Sequence, residues 1–101
     1  MALAAGVAAS ASLTELELDQ NKIGNEGAKA IGEALLVNAS LTSLNLMFNQ
    51  IGPEGAKALA AGVAVSASLT KLDVRYNDIE GEGEEALREA VKGREGFELR
   101  V

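Results

Sequence analysis

The chain has 101 residues, enough for one domain with a modest core. It is 48% apolar and 24% charged, as globular chains are, and its formal net charge of −6 argues against nucleic-acid and anionic-membrane partners, which reward Lys and Arg. Without Cys or His it offers no disulfide framework, no thiolate or imidazole zinc ligand, and neither the base nor the thiol of the usual catalytic triads.

The chain opens MALAAGVAASAS, an apolar run that ends by Ser10 and has no basic segment before it. That is too short for a membrane span and lacks the form of a signal peptide, so a cytoplasmic location is the default expectation. The absence of Cys makes the chain indifferent to oxidising conditions, which leaves an extracellular location open.

Residues 2–14 return as residues 58–70 with one change, Ala9 to Val65. Halving that offset of 56 exposes a period of 28. Full units cover 12–39, 40–67 and 68–95, residues 1–11 are the tail of a partial unit, and 96–101 form a closing segment. Self-similarity of this kind is the signature of a solenoid.

In chain order, residues 1–11 read as the end of a helix built from small residues. Leu16 and Leu18 then alternate as the inward side of a strand, followed by Gly24 as a helix N-cap and by Ala28, Ile31 and Leu35 at helical spacing. The second unit repeats this with Leu44 and Leu46, Gly52 before Pro53 at the first helical position, and Ala56, Leu59 and Val63. The third has Leu72 and Val74, then a helix expected to begin near Glu82 and carrying Leu87 and Val91. In it Glu80 replaces the capping Gly and Glu84 replaces Ala28 and Ala56. Phe97, Leu99 and Val101 alternate with Glu98 and Arg100 and predict a short last strand over 97–101.

The framework LxxLxLxxNxIGxxGAxAL stands as LTELELDQNKIGNEGAKAI from Leu13 and LTSLNLMFNQIGPEGAKAL from Leu41. It resembles the ribonuclease-inhibitor-like class of leucine-rich repeats, as found in NOD-like receptors and Ran GTPase-activating proteins. The resemblance implies an α/β fold: a single right-handed leucine-rich repeat solenoid, a short horseshoe arc with a parallel sheet on its concave side and helices on its convex side. It implies a protein-binding function and no enzymatic one. The first residues enter inside a helix, with no polar capping unit before them. The expectation is therefore either the C-terminal fragment of a longer array or a self-associating chain.

Other chemistries find little support. Glu15 and Glu17 share one side of a strand but an open sheet gives them no pocket to separate their pKa values. Asp78, Glu80, Glu82, Gly83 and Glu89 fit a calcium-loop spacing, yet the repeat register places them on a helix. GNEGAK and GPEGAK lack the ending of a phosphate loop. Asn38-Ala39-Ser40 is a glycosylation sequon that matters only outside the cell. Asn21, Asn49 and Asn77 recur at the strand-to-loop turn, where their amides can serve buried backbone groups. No cofactor and no metal are expected.

The strand residues between the core leucines face the concave side and vary from unit to unit. Asp19, Asn45, Met47, Phe48, Asp73, Arg75 and Tyr76 are the candidate surface for a protein partner, rich in residue types that dominate binding energetics. The alternative is a self-assembling structural unit, natural or designed, with no outside partner. Leu3, Ala5, Thr14, Glu15 and Leu16 would then join two copies across an open strand edge into a homodimer or a larger assembly.

Overall fold

Leu16, Leu44, Leu72 and Leu99 stand opposite one another on four adjacent strands, and this row of leucines organises the molecule. The computed structural model describes residues 14–101. Its elements run β1 (Glu15–Glu17), α1 (Gly24–Leu35), β2 (Ser43–Asn45), α2 (Pro53–Val65), β3 (Lys71–Asp73), α3 (Glu80–Ala90) and β4 (Glu98–Arg100). The strands form one parallel sheet in the order β1-β2-β3-β4. Parallel neighbours need a crossover, and each helix supplies one. The result is a short α/β solenoid.

The strands are only three residues long, but backbone pairing continues past them. Leu18 N donates to the Asn45 carbonyl at 2.9 Å, Leu46 N to Asp73 at 2.8 Å and Val74 N to Arg100 at 2.8 Å. Between sheet and helices lies a core of Leu, Ile, Val and Ala, in which Leu44, Leu59, Leu72 and Leu87 are at most 1% exposed. Each such side chain contributes roughly 1.5–3 kcal/mol by leaving water. The last strand falls within the predicted 97–101 segment and extends the sheet beyond β3.

Helix starts depart from expectation twice. Gly24 is not the N-cap of α1 but its first residue, at φ +68°, with Ile23 before it. Its N–H donates to the Asn49 carbonyl at 2.8 Å, so a left-handed turn is held against the next unit, where glycine costs least. α3 begins at Glu80 rather than near Glu82, and Glu80 takes the left-handed conformation at φ +56°. The acidic residues of the calcium-like spacing from Glu80 to Glu89 are therefore wound into a helix. Gly52 caps α2 as expected, with Pro53 first in the helix. The Asn25 side chain adds a cap from the neighbouring unit, its Oδ1 accepting from Gly52 N at 2.7 Å and Gly55 N at 2.9 Å.

α1 and α2 approach closely. A Cβ placed on Gly62 would lie 2.2 Å from the Gly32 carbonyl oxygen, so only glycine fits there. At the other end Arg94 donates to the carbonyls of Val63 at 2.7 Å, Ser66 at 2.7 Å and Leu69 at 2.8 Å. Its guanidinium also lies 4.9 Å over the Phe97 ring. Among the described residues no helix is long and apolar enough to cross a membrane.

Candidate protein-binding face

Asn45 and Asp73 end strands β2 and β3, the loops that follow the strands carry the other candidate residues, and three asparagines build those loops. Asn49 is fully buried; its Oδ1 accepts from Asn21 N at 2.8 Å while its Nδ2 donates to the carbonyls of Leu18 at 2.8 Å and Met47 at 3.1 Å. Asn77 repeats this one unit on, its Oδ1 accepting from Asn49 N at 2.9 Å and Ile51 N at 3.0 Å, its Nδ2 donating to Leu46 at 2.8 Å and Val74 at 2.9 Å. The recurring amides thus serve backbone groups in two units at once.

This ladder sets an uncommon backbone just before each asparagine. Gln20, Phe48 and Tyr76 have φ of 61°, 56° and 61°, in the left-handed region that bulky side chains rarely occupy. The turn holds the Phe48 and Tyr76 rings outward. They stack face to face, centroids 4.6 Å apart and planes within 7°, while remaining 46% and 66% exposed. Stacked rings left this exposed make a rigid apolar platform.

Beside the platform Arg75 is already engaged. Its Nε lies 3.0 Å from Asp73 Oδ1 and its Nη2 2.8 Å from Oδ2, a two-pronged pair, and the same Nη2 lies 3.6 Å from Met47 Sδ. Asp73, expected on the open face, is buried at 6% exposure beneath this contact. Burial pushes its carboxyl pKa up, but the hydrogen bonds from Arg75 outweigh burial and hold it below the ordinary carboxylate value. Asp73 Oδ1 also accepts from Arg75 N at 3.1 Å, as Asn45 Oδ1 accepts from Met47 N at 3.0 Å. Both side chains brace the loop as well as facing the concave side. Asp19 and Met47 are half-buried neighbours in the same row.

The proposed self-association residues are only partly in view. Thr14 and Glu15 are exposed and Leu16 is half-buried, on or beside β1 at the end of the sheet. Leu3 and Ala5 lie outside the described residues. Asn38 of the sequon is buried, its Oδ1 accepting from Ser40 N at 3.0 Å and Leu41 N at 2.8 Å.

Sequence reasoning missed the caps from Asn25 and Arg94, and a ridge of Leu36, Val37 and Val65, which are 56%, 70% and 62% exposed where α1 and α2 end. Leu36 and Val37 follow Leu35 directly and break the helical spacing, which is a signal that could have revealed the ridge.

The Leucine Rich repeat family model matches residues 9–32, 37–60 and 65–87, well over half of the chain. The chain belongs to the leucine-rich repeat family. Against solved structures this leucine-rich repeat chain has 22 matches. One of them, "Leiomodin-1 Actin-Binding Site 2 (ABS2)", is similar at 21% identity with a TM-score of 0.82. The match covers 96% of this chain and 58% of that one, and it is a likeness of fold. No curated protein matches.

Proposed function

We propose that this leucine-rich repeat chain is a non-catalytic interaction module that binds a protein partner through its concave face. The observation carrying this reading is the Phe48–Tyr76 stack, exposed and held outward by an asparagine ladder with the buried Asn49 at its centre. A preset aromatic surface loses little conformational freedom on binding, which favours affinity. Met47 and Arg75, already joined, border it. Within the family we assign the ribonuclease-inhibitor-like class with units at 12–39, 40–67 and 68–95 in one domain. Hydrogen bonds from Asn21 to Asn49 and from Asn49 to Asn77 each span 28 positions, which supports that period.

The leiomodin neighbour is an actin-binding site, which makes actin a sensible first bait, although similarity of fold alone does not name a partner. In the decisive experiment, partners captured by the chain are titrated against Phe48→Ala and Tyr76→Ala. Each truncation is expected to weaken binding by roughly 1–4 kcal/mol. Unchanged binding by both variants would show that the concave platform is the wrong surface.

A second reading, self-association, is favoured by the position of β1 at the end of the sheet among the described residues. An open strand edge can pair with its copy, and Glu15 and Glu17 only weakly discourage this. We propose a homodimer formed across Thr14, Glu15 and Leu16. Light scattering at high micromolar concentration should then give twice the chain mass, and Thr14→Lys should reduce it; a monomer before mutation refutes the reading.

A further inference from the structure

The concave face is unevenly charged. Glu15, Glu17 and Asp19 place three carboxylates on β1 and the turn beyond it, and none is ion-paired among the described residues. Across the sheet the acids are matched: Asp73 by Arg75, and Glu98 by Arg100. Between the two zones lie Met47 and the Phe48–Tyr76 platform. Gln20, next to Asp19, donates its N–H to the Met47 carbonyl at 3.0 Å, so Asp19 belongs to the turn paired beside the apolar surface, while Glu17 and Glu15 stand opposite Asn45 and Ser43 farther along the same face.

We propose that the occupant of this face is a basic polypeptide segment, with Lys or Arg over Glu15, Glu17 and Asp19 and a neighbouring aliphatic or aromatic side chain on the Phe48–Tyr76 stack. This rests on the concave-face reading above and adds the chemistry of the partner. The reason is complementarity. Any chain that covers the platform also dries the carboxylates beside it, and a carboxylate dried without a cation is costly. An acidic segment finds little compensation, because Arg75 is already committed to Asp73, and on the strands and turns of this face only Lys71, in β3, and Lys22, in the first turn, are cations without an ion pair among the described residues. With a net charge of −6, the whole molecule also attracts a basic segment at long range.

The test uses a short Lys/Arg peptide carrying Leu and Trp, a peptide of the same apolar residues with Glu for each cation, and a Lys/Arg peptide with Ser for each apolar residue. Binding is followed by fluorescence anisotropy at low and high salt. The basic-apolar peptide is expected to bind most tightly and to weaken as salt rises. Glu15→Gln, Glu17→Gln and Asp19→Asn together should weaken it roughly tenfold or more. A triple variant of exposed residues on the helices, Glu26→Gln, Glu33→Gln and Glu85→Gln, alters net charge equally and should leave binding nearly unchanged. Equal weakening by both triples, equal affinity for the Glu peptide, or no binding of the basic-apolar peptide overturns the proposal. Loss of binding in Phe48→Ala with none in the β1 triple keeps the platform and discards the basic partner. The opposite pattern discards the platform.

Discussion

Asn49 satisfies four backbone groups drawn from two units and has no surface of its own, so no water can replace what its amide supplies. Each buried group left unpaired costs about 1–3 kcal/mol. Asn49→Ala should therefore lower stability by roughly 2–4 kcal/mol in urea unfolding, while Asn21→Ala, at an exposed position, should cost clearly less. Asp73 makes a second prediction at this scale. Its folded pKa is depressed, so the stability it contributes is present above the unfolded value of about 3.9 and is lost as pH falls through the lower folded value. Acid titration of unfolding should show this loss, and Asp73→Asn should remove that part of the slope. The asparagines were legible because one residue type recurs in register. The burial of Asp73 was not: strand alternation correctly placed it away from the core, and what covers it is a side chain folding back from Arg75, two residues on.

Helices and strands followed from spacing, since leucines two apart and apolar residues three and four apart can each serve only one geometry. What spacing could not carry was how one element ends against another. The caps from Asn25 and Arg94 act across units, and the left-handed start at Gly24 is held by the Asn49 carbonyl of the next unit. Glycines in the helices therefore divide by what lies opposite. Gly62→Ala would force a methyl to within 2.2 Å of a carbonyl oxygen and should separate α1 from α2, costing roughly 1–3 kcal/mol or more. Gly81 in α3 has nothing within 4 Å, so Gly81→Ala should stabilise by about 0.4–1 kcal/mol. Thermal unfolding of the two variants should move in opposite directions. Arg94→Lys should behave much like Arg94→Met, because one ammonium cannot span three carbonyls as a planar guanidinium does.

The described residues form a slab of 33 × 30 × 17 Å in which each unit contacts mainly its neighbours. Damage should then spread from the site of injury rather than everywhere at once. Removing residues 97–101 deletes β4 and bares one edge of β3. Amide exchange should accelerate in β3 and α3 first and reach β1 last, a gradient that a uniformly cooperative domain would not show. The overall architecture was the most legible level, since a repeated phrase constrains every copy. The concave surface was the least: its residues differ between units, and the contact of Phe48 with Tyr76 depends on backbone angles that no composition announces.

The asparagine ladder has a direction. Asn49 completes the turn before its own, and Asn77 completes the turn of Asn49, so each turn borrows from residues that come later in the chain. Synthesis delivers residues in the other order. A growing chain that has released residue 70 but not Asn77 holds the Asn49 and Ile51 N–H groups without their acceptor, and the second turn must wait for the third unit to emerge. Folding on the ribosome should lag translation by one whole repeat. Arrested chains should stay open to protease around residues 48–51 until Asn77 clears the exit tunnel, and should close there in a single step.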